Sequence, residues 1–306
     1  MKQILLPIAL MLAISSAISM PVDSLSAYPF ADSVVPSGAF VFYVIGDWGR
    51  KGEYHQKGVA RAMNECAAKV PPKFIISTGD NFYTFGVKSV KDKQWKESFE
   101  NIYETGGMKE TDWYPVLGNH DSYGCPKAEI QYSTINTHWK MPGKHYSEKF
   151  RVTDSSEALF VFTNTEELVH KHDCEQWAWI DTTLANNRVS WNFVIGHHPV
   201  YSSNHTHGDS RPLIEQLKPI LEKYNVQAYL CGHDHDLQHQ QPQGSKVEYF
   251  VSGAGSELRP SDYYQHTLFA KSAAGFIIVA LKEKTMNIYF VDENGFVLYQ
   301  YSKASN

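Results

Sequence analysis

Short apolar runs alternate with amphipathic segments along most of the chain. The apolar runs have the length of buried strands and cover residues 40–45, 74–76, 114–117, 159–162, 193–195 and 228–230. The amphipathic segments repeat apolar residues at helical spacing, as in Val59, Met63, Cys66 and Val70, or in Leu213, Leu217, Ile220 and Leu221. This alternation of strands and helices predicts an α/β fold with largely parallel strand pairing.

The C-terminal part of the chain has a different pattern, in which strands follow one another without helices. These strand-like runs cover residues 247–251, 276–281, 286–291 and 296–301. The segment 292–295, Asp-Glu-Asn-Gly, suits a hairpin turn between the last two runs. One domain with a second, more antiparallel sheet therefore accounts for the pattern better than two domains.

The N-terminus has the features of an export signal. Lys2 precedes an apolar run over residues 4–14, and small residues follow that run. The run is too short to span a bilayer, so we expect removal after Ala17 or Ser19, between which the sequence does not decide. No later stretch is long and apolar enough to cross a membrane, so we expect an exported protein with no membrane span.

Length and charge limit the organisation and the partners. A chain of 306 residues with this pattern divides into a signal peptide at 1–19, a short leader at 20–37 and one catalytic domain at 38–306. The net charge of -5 argues against nucleic acid as a partner, because binding a phosphate backbone requires a basic surface. We expect a monomer.

Four cysteines are compatible with disulfides in an oxidising compartment, but their spacing does not resemble a zinc site. Cys66 lies on an apolar helix face and Cys231 ends an apolar strand, so both are expected to be buried thiols. Cys125 and Cys174 lie in loops and are the one pair that we consider for a disulfide.

Five of the apolar runs end in a glycine next to a residue of a metal-binding type. These ends read Gly46-Asp47, Gly79-Asp80, Gly118-Asn119-His120, Gly196-His197 and Gly232-His233-Asp234-His235. Ligand sites of open α/β sheets form outside the carboxyl ends of the strands, so these polar residues should converge. Each motif alone is more often a turn, a helix cap or a structural histidine. Their joint occurrence favours a metal site.

The five motifs resemble those of the purple acid phosphatases, in the small single-domain branch of the tartrate-resistant enzymes. The motifs read Gly46-Asp47-Trp48-Gly49, Gly79-Asp80-Asn81-Phe82-Tyr83, Gly118-Asn119-His120-Asp121, Val194-Ile195-Gly196-His197 and Gly232-His233-Asp234-His235. The resemblance implies the metallophosphoesterase fold, a sandwich of two mixed β-sheets flanked by helices with the metal site at the carboxyl ends of strands.

The resemblance also implies a ligand set for two metal ions. Fe(III) would be bound by Asp47, Tyr83, His235 and the bridging carboxylate of Asp80. A second, divalent ion (Fe, Zn or Mn) would be bound by Asp80, Asn119, His197 and His233. Tyr83 is the most specific of these residues, because the wider metallophosphoesterase superfamily generally lacks this tyrosine. The ligands suit several divalent ions, so the sequence leaves the second metal open.

Further histidines lie outside the implied ligand set. His120 resembles the family's substrate-contacting histidine. The family's other outer histidine corresponds to His205 or His207, and we favour His207 because it precedes Gly208. His198, next to the implied ligand His197, either shapes the pocket or has a packing role.

The resemblance implies an exported acid phosphatase that hydrolyses phosphate monoesters by attack of a metal-bound hydroxide at a dinuclear Fe(III)–M(II) centre. Its substrates would be small phosphorylated molecules or a phosphoprotein, in the medium, periplasm, lysosome or vacuole. One alternative is a phosphodiesterase or diphosphate hydrolase of the metallophosphoesterase superfamily. Another is a non-catalytic secreted protein that binds phosphate or metal.

One segment departs from the family pattern. In the tartrate-resistant branch, a long loop after the strand at 159–162 restrains activity until proteases cut it. In this chain a helical pattern with Trp177, Ile180 and Leu184 already begins near Cys174, which leaves only residues 166–173 as a connection. We therefore expect the intact chain to be fully active, without a proteolytic switch.

Overall fold

A computed structural model describes residues 27–31, 34–171 and 173–305. The predicted export signal lies outside the described residues. The strands are β1 Tyr28–Pro29, β2 Phe40–Ile45, β3 Phe74–Ser77, β4 Asp112–Pro115, β5 Tyr146–Thr153, β6 Ser156–Phe162, β7 Trp191–Ile195, β8 Ala228–Cys231, β9 Leu237–Gln240, β10 Glu248–Ser252, β11 Thr267–Lys271, β12 Gly275–Lys282, β13 Thr285–Asp292 and β14 Phe296–Ala304.

The α-helices are α1 Gln56–Lys69, α2 Asn101–Tyr103, α3 Asn119–Ser122, α4 Pro126–Tyr132, α5 Thr165–His170, α6 Cys174–Asn186 and α7 Arg211–Lys223. A π-helical segment, Trp95–Glu100, runs directly into α2, and a short 3₁₀ helix covers Gly106–Met108. Among the described residues, the structure contains no helix with the length and apolar character needed to cross a membrane.

The strands form two seven-stranded sheets, with orders β1-β14-β13-β12-β2-β3-β4 and β11-β9-β10-β8-β7-β6-β5. Strands β2, β3 and β4 are parallel in the first sheet, and β6, β7, β8 and β10 are parallel in the second. Antiparallel strands complete both sheets. The predicted sandwich of two mixed sheets with flanking helices is confirmed.

The expectation of a separate, more antiparallel second sheet is wrong in one respect. Strand β12 pairs antiparallel with β2, where Val279 lies opposite Phe42, and β13 and β14 continue the same sheet. The edge of β2 away from β3 would otherwise present unpaired backbone groups, and β12 satisfies them. The antiparallel strands therefore extend the first sheet rather than forming the second.

Aromatic side chains fill the space between the two sheets. The ring of Phe42 lies 5.1 Å from that of Phe160 and 5.5 Å from that of Phe193, measured between centroids. Phe74 packs against Phe160 at 5.2 Å. Each fully buried side chain of this size contributes about 1.5–3 kcal/mol by leaving water. This packing holds the parallel strands of both sheets face to face.

The helices cover the outer faces of the sheets, as their apolar stripes predict. Val59, Met63 and Cys66 of α1 are buried in the same cluster as the first sheet. Leu213, Leu217 and Leu221 of α7 are buried with residues of α6 and of β6 to β8. Pro219 lies inside α7.

Two segments differ from the simplest sequence interpretation. Tyr28 and Pro29, within the predicted leader, pair with Val297 and Phe296 of β14, so packing against the first sheet begins before residue 38. Cys125 carries no disulfide, so the bridge considered with Cys174 is not formed.

The two remaining cysteines behave as expected. Cys66 and Cys231 are both buried thiols, and burial raises the pKa of Cys66 to about 12. Cys66 faces the first sheet from α1, and Cys231 is the last residue of β8.

Candidate metal centre

The polar ends of five strands meet at one end of the sandwich. Asp47 and Asp80 follow β2 and β3 of the first sheet, and Asn119 begins α3 after β4. His197 follows β7 of the second sheet, and the segment His233-Asp234-His235 follows β8. Ligand atoms of Asp47, Asp80 and His197 all lie within 4.8 Å of one another. The two sheets therefore contribute jointly to one cluster.

Tight turns bring these side chains inward. Asp47, Asp80 and His233 all have left-handed backbone conformations, with φ of 60°, 49° and 71°. Non-glycine residues adopt such angles rarely, and they concentrate at functional sites. A side chain at Gly118 would place its Cβ 2.0 Å from Asp80 Oδ1, and one at Gly232 would lie 2.4 Å from Asp47 Oδ2. Only glycine fits beside the two carboxylates.

One half of the cluster surrounds the phenol oxygen of Tyr83. This oxygen lies 3.0 Å from Asp47 Oδ1, 2.9 Å from Asp80 Oδ2 and 3.0 Å from His235 Nε2. A single hydroxyl proton can serve only one of these three neighbours. Two carboxylates, a phenol and an imidazole thus converge on one point, and their oxygen-rich donor set suits a hard, highly charged cation.

The other half of the cluster surrounds the amide oxygen of Asn119. This oxygen lies 3.1 Å from His197 Nε2 and 3.1 Å from His233 Nδ1, and those two nitrogens are 3.1 Å apart. His197 Nδ1 donates to the Thr78 carbonyl at 2.9 Å, so its Nε2 presents a lone pair. The lone pairs of His197 Nε2 and Asn119 Oδ1 therefore face one another at 3.1 Å, and they repel unless a cation lies between them.

Asp80 connects the two halves. Its Oδ2 accepts a hydrogen bond from Tyr83, whereas its Oδ1 lies 3.5 Å from His197 Nε2. The backbone N–H of His120 also donates to Oδ1, at 2.9 Å. The carboxylate therefore faces both candidate ion positions, as a bridging ligand must.

Burial sets the protonation of the cluster. It lowers the pKa of His235 to about 2 and that of His233 well below the usual range, so both imidazoles are neutral. Burial and the nearby charge of Asp80 raise the pKa of Asp47 well above its usual range, and burial with both carboxylates does the same for Tyr83. Bound cations would compensate the negative charge, so these seven residues suit a dinuclear metal centre.

The additional candidate histidines lie at the edge of the cluster. The ring of His120 is 4.5 Å from that of Tyr83, and its Nδ1 donates to the Thr84 carbonyl at 2.6 Å. The ring of His207 is 4.1 Å from that of His233, and its Nδ1 donates to Asp234 Oδ1 at 2.6 Å.

His205 faces a different direction from His207. Its ring forms hydrogen bonds with Asp262 and Tyr264 at the surface, and its side chain is 60% exposed. Of the two histidines that the sequence left as alternatives, His207 is therefore the one in contact with the cluster.

Several residues that support the cluster had no role predicted from the sequence. Asp121 accepts hydrogen bonds from the backbone N–H groups of Asn81, Phe82 and Gly118, and so ties two strand-end loops together. Its position directly after Asn119-His120 was the available signal. The guanidinium of Arg50 lies 3.7 Å from the centre of the Tyr83 ring, and no motif pointed to it.

Comparisons with known proteins agree with this geometry. The family model for calcineurin-like phosphoesterases matches residues 40–237. The chain is 33% identical to tartrate-resistant acid phosphatase type 5 of Homo sapiens, over 88% of this chain and 92% of that protein. It is 32% identical to purple acid phosphatase 17 of Arabidopsis thaliana, over 89% of this chain and 86% of that protein.

A solved structure is also similar over most of its length. It is GAP50, described as the anchor in the inner membrane complex of Plasmodium. The TM-score is 0.80 at 26% sequence identity, and the match covers 88% of this chain and 89% of that chain.

Proposed function

Because the chain belongs to the calcineurin-like phosphoesterase family, together with the tartrate-resistant and purple acid phosphatases, we propose that it is an exported acid phosphatase that hydrolyses phosphate monoesters. The observation that carries this proposal is the convergence of seven metal-type side chains in which lone pairs face one another. In this proposal residues 38–306 form the catalytic domain, which acts after the signal peptide is removed.

The two halves of the cluster support an assignment of the metals. Asp47, Tyr83 and His235 would bind Fe(III), and Asn119, His197 and His233 would bind a divalent ion, with Asp80 bridging the two. Such ions, when bound, supply the positive charge that activates water and stabilises the oxygens of the phosphoryl group. The phenolate of Tyr83 favours the ferric state at the first position.

Residues of the chain orient the reacting groups. The Thr78 carbonyl fixes the tautomer of His197, and Asp121 holds the loops that carry Asp80 and Asn119. Nδ1 of His120 is engaged with a carbonyl, so its Nε2, which lies 4.0 Å from Asp80 Oδ2, is available to a substrate oxygen.

Departure of the alkoxide requires a proton. We assign its donation to Nε2 of His207, because Asp234 accepts the Nδ1 proton and thereby holds the ring in one orientation. Ser202 donates to the other oxygen of Asp234 and fixes the carboxylate in turn.

Turnover of a chromogenic phosphate monoester at acidic pH, measured with the metal content and the visible spectrum, tests the proposal. The metal-loaded protein should be purple to pink through charge transfer from the Tyr83 phenolate to Fe(III). Tyr83→Phe should lose that absorption band while the circular dichroism spectrum stays unchanged. An active but colourless metal-replete protein would contradict the ferric assignment.

Two other functions remain as candidates. A diester or diphosphate hydrolase would prefer bis-nitrophenyl phosphate or a diphosphate over a monoester in the same assay. An anchoring role is suggested by the similarity to the Plasmodium anchor protein. A metal-loaded protein that turns over none of these esters would favour this second role over catalysis.

A further inference from the structure

A second group of metal-type side chains lies beside the proposed dinuclear centre. Glu166 and His170 are one helical turn apart on α5, and His198 directly follows His197 after β7. Glu166 Oε2 lies 3.8 Å from His170 Nε2 and 3.6 Å from His198 Nε2. Ligand atoms of all three residues lie within 4.8 Å of one another.

The carboxylate of Glu166 is incompletely satisfied. Its Oε2 is buried and accepts no hydrogen bond. A buried acceptor without a partner is unfavourable, so such a group calls for an explanation. The two nearest imidazole nitrogens are beyond hydrogen-bond length. Ligand atoms about 2.0–2.2 Å from one tetrahedral zinc ion lie about 3.3–3.6 Å apart, which is close to the spacing seen here.

His198 is already oriented for such a role. Its Nδ1 forms a hydrogen bond of 2.9 Å with Thr165 Oγ1, which leaves Nε2 facing Glu166. The same hydroxyl accepts hydrogen bonds from the backbone N–H groups of His197 and His198, so both of its lone pairs are used and it donates its own proton to Nδ1. This contact fixes the orientation of the ring, and an ion bound at Nε2 would displace the proton that this nitrogen carries.

We propose that Glu166, His170 and His198 form a third metal site, separate from the dinuclear centre, which binds Zn²⁺ or a divalent ion of similar preference. Two imidazoles and one carboxylate are an established ligand set for zinc. The side chain of His170 is 60% exposed, so a water molecule has access to the fourth position. The ion would join α5 to the loop that carries His197. This site would lie next to the dinuclear centre, because the ring of His198 is 4.5 Å from that of His233.

Metal analysis of the metal-loaded protein after equilibration with micromolar Zn²⁺ tests the proposal. His170→Ala should retain one ion fewer per chain than the wild type, and Glu166→Gln should bind the third ion at least tenfold more weakly. At a Zn²⁺ concentration about 100 times the dissociation constant, the third ion should raise Tm by roughly 5 °C in the wild type. His170→Ala should lack this increase.

His55→Ala is the matched control. His55 is a partly exposed histidine that also pairs with one carboxylate, Glu293, at 2.8 Å. It should keep the wild-type zinc content and Tm. Equal zinc content in the wild type and His170→Ala would overturn the proposal, as would an equal loss in His55→Ala, which would indicate nonspecific surface binding. Loss of both dinuclear ions in His170→Ala would also overturn it, because the site would not be separate.

Discussion

The replacement His207→Ala tests the assignment of the proton donor most directly. His207 lies at the edge of the cluster, where its Nδ1 donates to the buried carboxylate of Asp234 at 2.6 Å. Removal of the imidazole takes away the proton that the leaving alkoxide requires. Turnover of esters with poor leaving groups should therefore decrease strongly. Turnover of nitrophenyl esters, whose leaving group needs little help, should be much less affected.

Two magnitudes follow from the structure. General acid catalysis typically contributes 10²- to 10⁴-fold, so kcat for an alkyl phosphate should fall by about 10²-fold or more. A hydrogen bond to a charged group contributes about 1.5–3 kcal/mol, and Asp234 keeps its second bond to Ser202. The unfolding free energy should therefore fall by about 1–3 kcal/mol, which lowers Tm by several degrees.

The assay compares kcat for an alkyl phosphate and for nitrophenyl phosphate, in metal-loaded protein whose ion content has been measured. His205→Ala is the matched control, because it removes the same side chain two positions away on the same loop and leaves the cluster untouched. A uniform decrease for both esters in His207→Ala would refute the reasoning and assign the residue to binding. A selective loss in His205→Ala alone would transfer the role to that residue.

Three further predictions concern the metals, the connection and the core. Asp80→Ala should lose both ions, whereas Asn119→Ala should lose chiefly the divalent ion, because only Asp80 faces both halves of the centre. Equal metal content in the two variants would contradict the assignment. Limited proteolysis within residues 166–173 should not increase turnover, because α5 occupies most of this segment, and a several-fold increase would show that a restraining loop exists. Phe74→Ala should lower the unfolding free energy in urea by about 3–5 kcal/mol, whereas the partly exposed Phe296→Ala should change it by about 0.5 kcal/mol or less. Equal effects of the two phenylalanine substitutions would be inconsistent with the described core.

Strands that are buried on both faces could be predicted from the sequence, and polar strands could not. The apolar run at 40–45 matches the bounds of β2. Strand β9 reads Leu-Gln-His-Gln and is nevertheless fully buried. Its amides are satisfied by partners distant in the chain, as where Gln240 donates to Ser203. Local periodicity carries no signal for such a strand.

The convergence of the strand-end residues could be predicted from the sequence, but the contacts around them could not. Glycine-containing strand ends identified the polar residues that converge, because their location follows from the topology of parallel sheets. The distinction between His205 and His207 depends on a contact with Asp234, which sequence spacing does not determine. The group of Glu166, His170 and His198 likewise requires α5 to lie beside the loop after β7, and the sequence indicated only a short connection there.

The pairing of β12 with β2 has a consequence for the order in which the molecule can fold during synthesis. Asp47 follows β2, yet Val44 of that strand pairs with Ile277, which is synthesised long after β2. Contacts between residues so far apart in sequence slow folding, and until they form, the edge of β2 is exposed to pairing with other chains. A nascent chain that stops before Gly275 would contain all seven proposed metal ligands. It would still lack β12, the strand that pairs with β2 next to Asp47. Such a fragment should therefore aggregate rather than assemble a working metal centre.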